Sequence, residues 1–226
     1  MRRLRFRRPI NMVFNPAAGL LAGKLGEETT VYYCVDEYTA FTGVSNGLKQ
    51  IEDALFRTAD LVVVSAEKLL ESKKALNVNT HLIRHGTDWK HFRGAIEPET
   101  QIPAEIAYLP RPIIGFHGLL ADWVDYELIR KTAERYSGGS VVLIGKIAVD
   151  AEEKIKVLNG AENIHLLGRK PYADLPAYCK GFDVAINPFV INELTLAANP
   201  LKVREYLAAG LMVVSTDIPE VRILGN

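Results

Sequence analysis

Short apolar runs recur along the whole chain, and stretches with helical spacing lie between them. In the first half, Ile10 to Phe14, Thr30 to Val35 (TVYYCV), Leu61 to Ser65 (LVVVS) and Thr80 to Ile83 read as strands, because they are short and rich in β-branched and aromatic residues. The spacing of Leu48, Ile51 and Leu55 predicts a helix over 48–58, and a second helix is expected over 66–76 with Ser65 as its cap. The second half repeats the alternation, with strands expected at 113–116, 140–144, 163–167, 183–186 and 211–216. Helices fall between them at 123–136 behind Asp122, 149–158, 173–180 and 201–209. Residues 89–112 (WKHFRGAIEPETQIPAEIAYLPRP) break the pattern with four prolines and no sustained apolar period, so a linker is expected there. The boundary is set between residues 107 and 108. Strands that alternate with helices imply parallel sheets covered on both faces. The fold class is α/β with two Rossmann-like domains, a partial one over 1–107 and a nearly complete one over 108–226.

The stretch 187–217 (NPFVINELTLAANPLKVREYLAAGLMVVSTD) carries the densest signals. A polar loop with Asn187, Asn192, Glu193 and Thr195 closes on Asn199-Pro200, where Asn suits a helix N-cap and Pro the first helical position. Gly210 supplies the stop. Val203, Tyr206, Leu207 and Gly210 share one face, which leaves Lys202 and Glu205 facing outward together. A helix N-terminus favours anions through its free N–H groups, and a lysine in the first turn adds a full charge. Glu205, one turn on, can accept hydrogen bonds from the two neighbouring hydroxyls of a ribose. Phosphate and ribose together specify a nucleoside diphosphate, although Lys202 and Glu205 read equally as an ordinary surface pair.

Open α/β sheets bind ligands beyond the carboxyl ends of their strands. Those ends hold Gly115 to Gly118, Gly145-Lys146, Gly168 to Tyr172 and Asn187 to Lys202. The sequence GFHG is not the G-x-G-x-x-G fingerprint, which argues against a nicotinamide enzyme. The 168–172 loop can offer main-chain groups and a ring to a nucleobase, or serve only as a turn.

Composition narrows the partners. Lys+Arg and Asp+Glu number 27 each, so no global field points to nucleic acid. Five arginines fall in the first eight residues, where they could meet anionic lipid or form a solvated helix face. Cys34 and Cys179 have no metal-ligand spacing and read as packing residues in a reducing compartment. No apolar run reaches membrane-spanning length, and Asn15-Pro16 interrupts any signal-like stretch. A soluble cytoplasmic protein is expected, with peripheral contact at the inner face of the membrane as one of the two readings of the arginine-rich start.

The ordered motifs IGFHG, VVLIG, IHLLGRKPYADLPAYCKGFDVAINPF and NELTLAANPLKVREYLAAGLMVVSTDIPEV resemble the donor-binding domain of retaining glycosyltransferases of family 4, the group 1 type with the GT-B fold. Upstream, VYYCVDEYTAF and ADLVVVSAEKLLESKKALNVNTHLIRHGTDWKHF are similar to the later part of the acceptor-side domain. Within the family the closest resemblance is to members linked to polysaccharide and teichuronic-acid-like glycans. The resemblance implies transfer of a sugar from a nucleotide sugar to a glycan or lipid-linked acceptor, with no metal or other cofactor. It makes Glu205 the ribose carboxylate and Lys202 a diphosphate ligand, puts Gly115 to Gly118 under the diphosphate, and gives the 168–172 loop with Arg169 to the base. Gly145, Asn187, Asn199 and Pro200 complete the donor side.

The chain departs from the family pattern at several places. Ala197 stands where a first carboxylate is usual, so Glu193 is the candidate for reaching the donor sugar. HGLLADWVD lacks the usual Arg and Lys, which leaves His117 as a polar side chain there, or as a structural histidine. Val35-Asp36 occupies a position often held by His-Asp, and Asp36 becomes the candidate for orienting the acceptor or the sugar, or reads as a solvated strand-end carboxylate. The chain looks like an internal piece of a longer protein. The alternatives are a GT-B sugar-nucleotide epimerase, a phosphorylase, or a non-catalytic fragment that binds nucleotide only.

Overall fold

Each apolar run is separated from the next by a helix or a helical turn, so neighbouring strands pair in parallel. A computed structural model describes residues 7–225. Its strands are β1 (Ile10–Val13), β2 (Thr29–Cys34), β3 (Leu61–Val64), β4 (Thr80–Leu82), β5 (Ile113–His117), β6 (Ser140–Ile144), β7 (Ile164–Leu166), β8 (Val184–Asn187) and β9 (Val213–Ser215). Its α-helices are α1 (Asn46–Thr58), α2 (Glu67–Lys73), α3 (Trp89–Arg93), α4 (Ala104–Ala107), α5 (Tyr126–Arg135), α6 (Leu175–Gly181), α7 (Glu193–Leu196), α8 (Leu201–Ala208) and α9 (Pro219–Arg222).

Two sheets result, one of order β1-β2-β3-β4 and one of order β7-β6-β5-β8-β9, and every pairing in both is parallel. In the second sheet the chain first builds outward from β5 through β6 to β7, then returns to add β8 and β9 on the other side. The carboxyl ends of β5 and β8 therefore flank the switch point where such sheets open a crevice. No helix among the described residues is long and apolar enough to cross a membrane. Of the arginine-rich start, Arg2, Arg3 and Arg5 lie outside the described residues, and Arg8 pairs with Glu28.

The chain forms two compact units that divide elsewhere than between residues 107 and 108. The first takes the described residues up to His85, Asn192–Asn199 and those from Ile218 onward; the second takes Gly86–Ile191 and Pro200–Asp217. Residues 89–112, expected as a linker, belong to the second unit because they carry apolar anchors. Phe92 and Ala95 pack with Cys179, Ala185, Tyr206 and Ala209, while Ile106 packs with Ile113, Val142 and Phe182. Asp88 caps α3 by accepting from the His91 N–H at 3.1 Å, a signal that the prolines concealed.

Other boundaries move for identifiable reasons. Asp125, not Asp122, caps α5, because Leu120 and Val124 bridge to Ile147 and Phe189 and keep that segment extended. Ser65 does not cap α2, since its hydroxyl donates to the Val35 carbonyl, and the α2 N-terminus is served instead by Glu220 across 153 residues (Glu67 N–H to Oε1, 2.8 Å). The expected helix at 149–158 is two 3-10 stretches, whose buried Ala151, Ile155 and Leu158 keep an inward spacing. Both cysteines are buried without a disulfide, and burial pushes each thiol up to about 12, in keeping with packing roles.

The first unit buries an ion pair at the carboxyl edge of its sheet. Lys73 Nζ donates to Glu37 Oε1 at 2.7 Å, and Thr39 donates to the same oxygen. Removing one partner strands the other charge in the interior. Lys73→Met is expected to cost about 3–5 kcal/mol in urea unfolding followed by circular dichroism, and the double change Lys73→Met with Glu37→Leu is expected to recover most of that loss.

Candidate functional site

At the carboxyl ends of β5, β6 and β7 the backbone is laced together at three glycines. Gly118 N–H donates to the Ile144 carbonyl and Gly145 N–H to the Gly168 carbonyl, both at 2.9 Å. A Cβ on Gly145 would stand 1.7 Å from the Gly118 oxygen, and one on Gly118 would stand 2.6 Å from Lys202 Cε. The backbone contact at Gly145 requires glycine, and at Gly118 the φ of 148° favours it while Lys202 can give way. Together with His117, Lys146 and Arg169 these turns line a cleft of about 300 Å³.

Helix α8 brings Lys202 against the Gly118 turn beside this cleft. Pro200 occupies its N-cap position, and its end is a Schellman motif in which Gly210 (φ 77°) donates to Leu207 and Leu211 to Tyr206. Asn199 is not the cap, because its amide donates to the Ser65 carbonyl at 2.6 Å and holds it in the first unit. Val203 and Tyr206 are buried as expected, whereas Leu207 is exposed. The Tyr206 hydroxyl accepts from the His117 N–H at 2.7 Å and returns to the His117 carbonyl at 3.3 Å.

Lys202 and Glu205 do not face outward together. Glu205 is only 8% exposed, and burial raises its carboxyl above the ordinary range, with Lys202 and His91 pulling the other way. The Lys202 Nζ lies 4.8 Å from the centre of the Phe189 ring and 5.5 Å from that of Phe116. The site thus holds its cation against aromatic faces, beside a glycine turn.

His117 is buried, and burial together with the Lys202 charge lowers its pKa to about 3. It is neutral at ordinary pH, so the 3.8 Å approach of its Nε2 to Glu205 Oε2 is neither an ion pair nor a hydrogen bond. That Nε2 is one of the buried side-chain atoms without a hydrogen-bond partner among the described residues. His91 stacks on Tyr172 at 4.5 Å and contacts its carbonyl through Nε2 at 2.9 Å. His91 and Phe92 lie in the stretch expected as a linker, whose prolines hid them from a reading of spacing alone.

The remaining expected residues separate. Arg169 is exposed at the cleft, while its neighbour Lys170 pairs with Glu105 at 2.6 Å. Gly115 lies within β5, where a Cβ would fall 2.1 Å from the Phe182 ring; it serves packing, and the glycine turn starts only at Gly118. Asn187 is fully buried at the end of β8, with its amide on Ser215 Oγ at 3.0 Å, and borders a separate apolar cavity. Asp36 and Glu193 belong to the first unit, Asp36 half-buried after β2 and Glu193 exposed at the start of α7. Ala197, in the place of a usual carboxylate, packs in the first unit's core.

Two α/β units, each built on an all-parallel sheet, are the elements of the GT-B class of fold. The chain belongs to the family of glycosyl transferases group 1, whose model matches residues 111–225. It is 23% identical over 219 residues to TuaH of Bacillus subtilis (strain 168), named for teichuronic acid biosynthesis as a glycosyltransferase, covering 90% of this chain and 54% of that protein. The chain thus spans about half the length of this curated relative. Among solved structures, Anabaena Alr3699/HepE in complex with UDP and glucose superimposes with a TM-score of 0.70 at 16% identity, over 95% of this chain and 61% of that one. The sucrose-phosphate synthase of Thermosynechococcus elongatus gives 0.67 at 16% identity, over 95% and 57%.

The buried pair has opposite acid signatures. The folded pKa of His117 lies below its unfolded value of 6.5, so its contribution is present above pH 6.5 and is lost as pH falls toward about 3. Across that window the wild type is expected to lose on the order of 4 kcal/mol more stability than His117→Gln. Glu205 is raised above 4.5, so the stability gained by its protonation is present below 4.5 and lost as pH rises through its folded value. Glu205→Gln is therefore expected to be more stable than wild type at pH 7, with the difference closing toward pH 4.5 in the same unfolding series.

Proposed function

We propose that this chain carries the donor half of a retaining family 4 glycosyltransferase that uses a nucleoside-diphosphate sugar in cell-surface polysaccharide synthesis. The observation that carries the reading is the start of α8, where Lys202 and the aromatic cradle around it meet the Gly118 turn and Glu205 sits one helical turn further on. The diphosphate lies against the turn and the helix N-terminus, and the ribose hydroxyls donate to Glu205. The name of TuaH and the UDP and glucose in the HepE complex support the donor class and the glycan context.

In the reaction, the bond from the anomeric carbon to the diphosphate oxygen breaks while the acceptor oxygen bonds to the same face of the sugar. The proton of the acceptor hydroxyl passes to the departing diphosphate. Lys202 and the α8 N-terminus stabilise the charge that develops on the leaving group. Asp36, at the carboxyl end of β2 in the first unit, is our candidate for orienting the acceptor hydroxyl, which belongs to a glycan or a lipid-linked sugar.

Calorimetric titration with UDP, GDP, dTDP and ADP tests the reading. One nucleotide is expected to bind saturably, and Glu205→Ala to weaken it by roughly 1.5–3 kcal/mol, the cost of a charge-assisted hydrogen bond. Undiminished affinity in that variant would remove Glu205 from the donor site.

A further inference from the structure

His117 is held on nearly every side. Tyr206 clasps its backbone through both the N–H and the carbonyl. Its ring lies parallel to Phe92 at 5.9 Å and edge-on to Tyr206 at 4.6 Å. Four constraints thus fix an imidazole whose Nε2 has no hydrogen-bond partner and faces Glu205 Oε2 at 3.8 Å. Leaving a buried nitrogen unpaired is costly, and packing alone would be served as well by an apolar side chain.

We propose that His117 is the positioning residue of Glu205, its Nε2–H closing on Oε2 when the ribose diol of a nucleotide draws the carboxylate into place. One lobe of the carboxylate is then anchored by the protein, and the remaining lone pairs receive the two hydroxyls. The inference rests on the reading of Glu205 as the ribose carboxylate. A neutral donor suits this role, because it orients the carboxylate without cancelling the charge that the hydroxyls are to meet. Burial and the nearby Lys202 charge keep the imidazole in that state. The 3.8 Å gap is short enough for a side-chain rotation of Glu205 to close, since the Phe92 stack and the Tyr206 clasp leave the imidazole little freedom to move instead.

The discriminating probes are UDP and 2′,3′-dideoxy-UDP, titrated by calorimetry into the wild-type chain, His117→Met, His117→Gln and Glu205→Ala. Methionine keeps the bulk and removes the donor, whereas the amide nitrogen of glutamine reaches the position of Nε2. His117→Met is expected to bind UDP about tenfold more weakly and dideoxy-UDP as the wild type does, while His117→Gln keeps UDP affinity within about threefold. Equal loss of both nucleotides in His117→Met, or glutamine performing no better than methionine, would overturn the positioning role and leave a packing residue. If His117→Met does not fold by circular dichroism, His117→Asn takes its place, because its amide falls short of Glu205. Loss of UDP in Glu205→Ala with none in His117→Met refutes the role of His117 alone. Where the wild type binds GDP or ADP in place of UDP, that nucleotide and its 2′,3′-dideoxy form serve as the probes; wild-type affinity in Glu205→Ala, or no binding of any of the nucleotides by the wild type up to millimolar concentration, refutes the underlying reading and the inference with it.

Discussion

A single phenol holds the second unit's site together. The Tyr206 hydroxyl takes the His117 N–H at 2.7 Å and turns back to the His117 carbonyl, docking the middle of α8 on the last residue of β5. Everything chemical in the site is referenced to that joint. Glu205 precedes Tyr206 and is carried inward with it, Lys202 lies one turn earlier over Gly118, and His117 presents its ring to both. The ring of Tyr206 is completely buried, so the hydroxyl bridges two backbone groups in a water-poor setting where such bonds are strong.

The electrostatics follow from the same burial. A carboxylate, a lysine and an imidazole crowd the start of one helix, and the interior does not let all three carry charge freely. The imidazole gives way and stays neutral, the carboxylate is raised, and the lysine rests against two aromatic faces.

The strands and their parallel pairing were legible in the sequence because strands buried on both faces, such as β5 and β6, are written as near-continuous apolar runs, and all nine overlap the segments expected as strands. Lys202 and Glu205 were legible as a pair, but not the inward turn of Glu205, since spacing of three residues describes neighbours on a helix and says nothing about which face the fold covers. Capping was misread wherever a tertiary partner displaced the local one. Ser65 turns to Val35, Asn199 to Ser65, and the α2 N-terminus receives Glu220. The prolines of residues 89–112 hid the anchors Phe92 and Ile106, because punctuation reports on the backbone and the anchors act through packing.

The chain passes from the first unit to the second after His85, returns for Asn192–Asn199, leaves again at Pro200 and comes back at Ile218. Arg84 and Glu220, which form an ion pair at 2.7 Å within the first unit, are separated by 136 residues. During synthesis from the amino terminus, the first unit thus cannot acquire its last pieces until β9 has emerged from the ribosome. Neither unit exists as one uninterrupted stretch of polypeptide. No single cut in the chain separates the two units, so α8 is tied at both ends to segments of the unit it does not belong to.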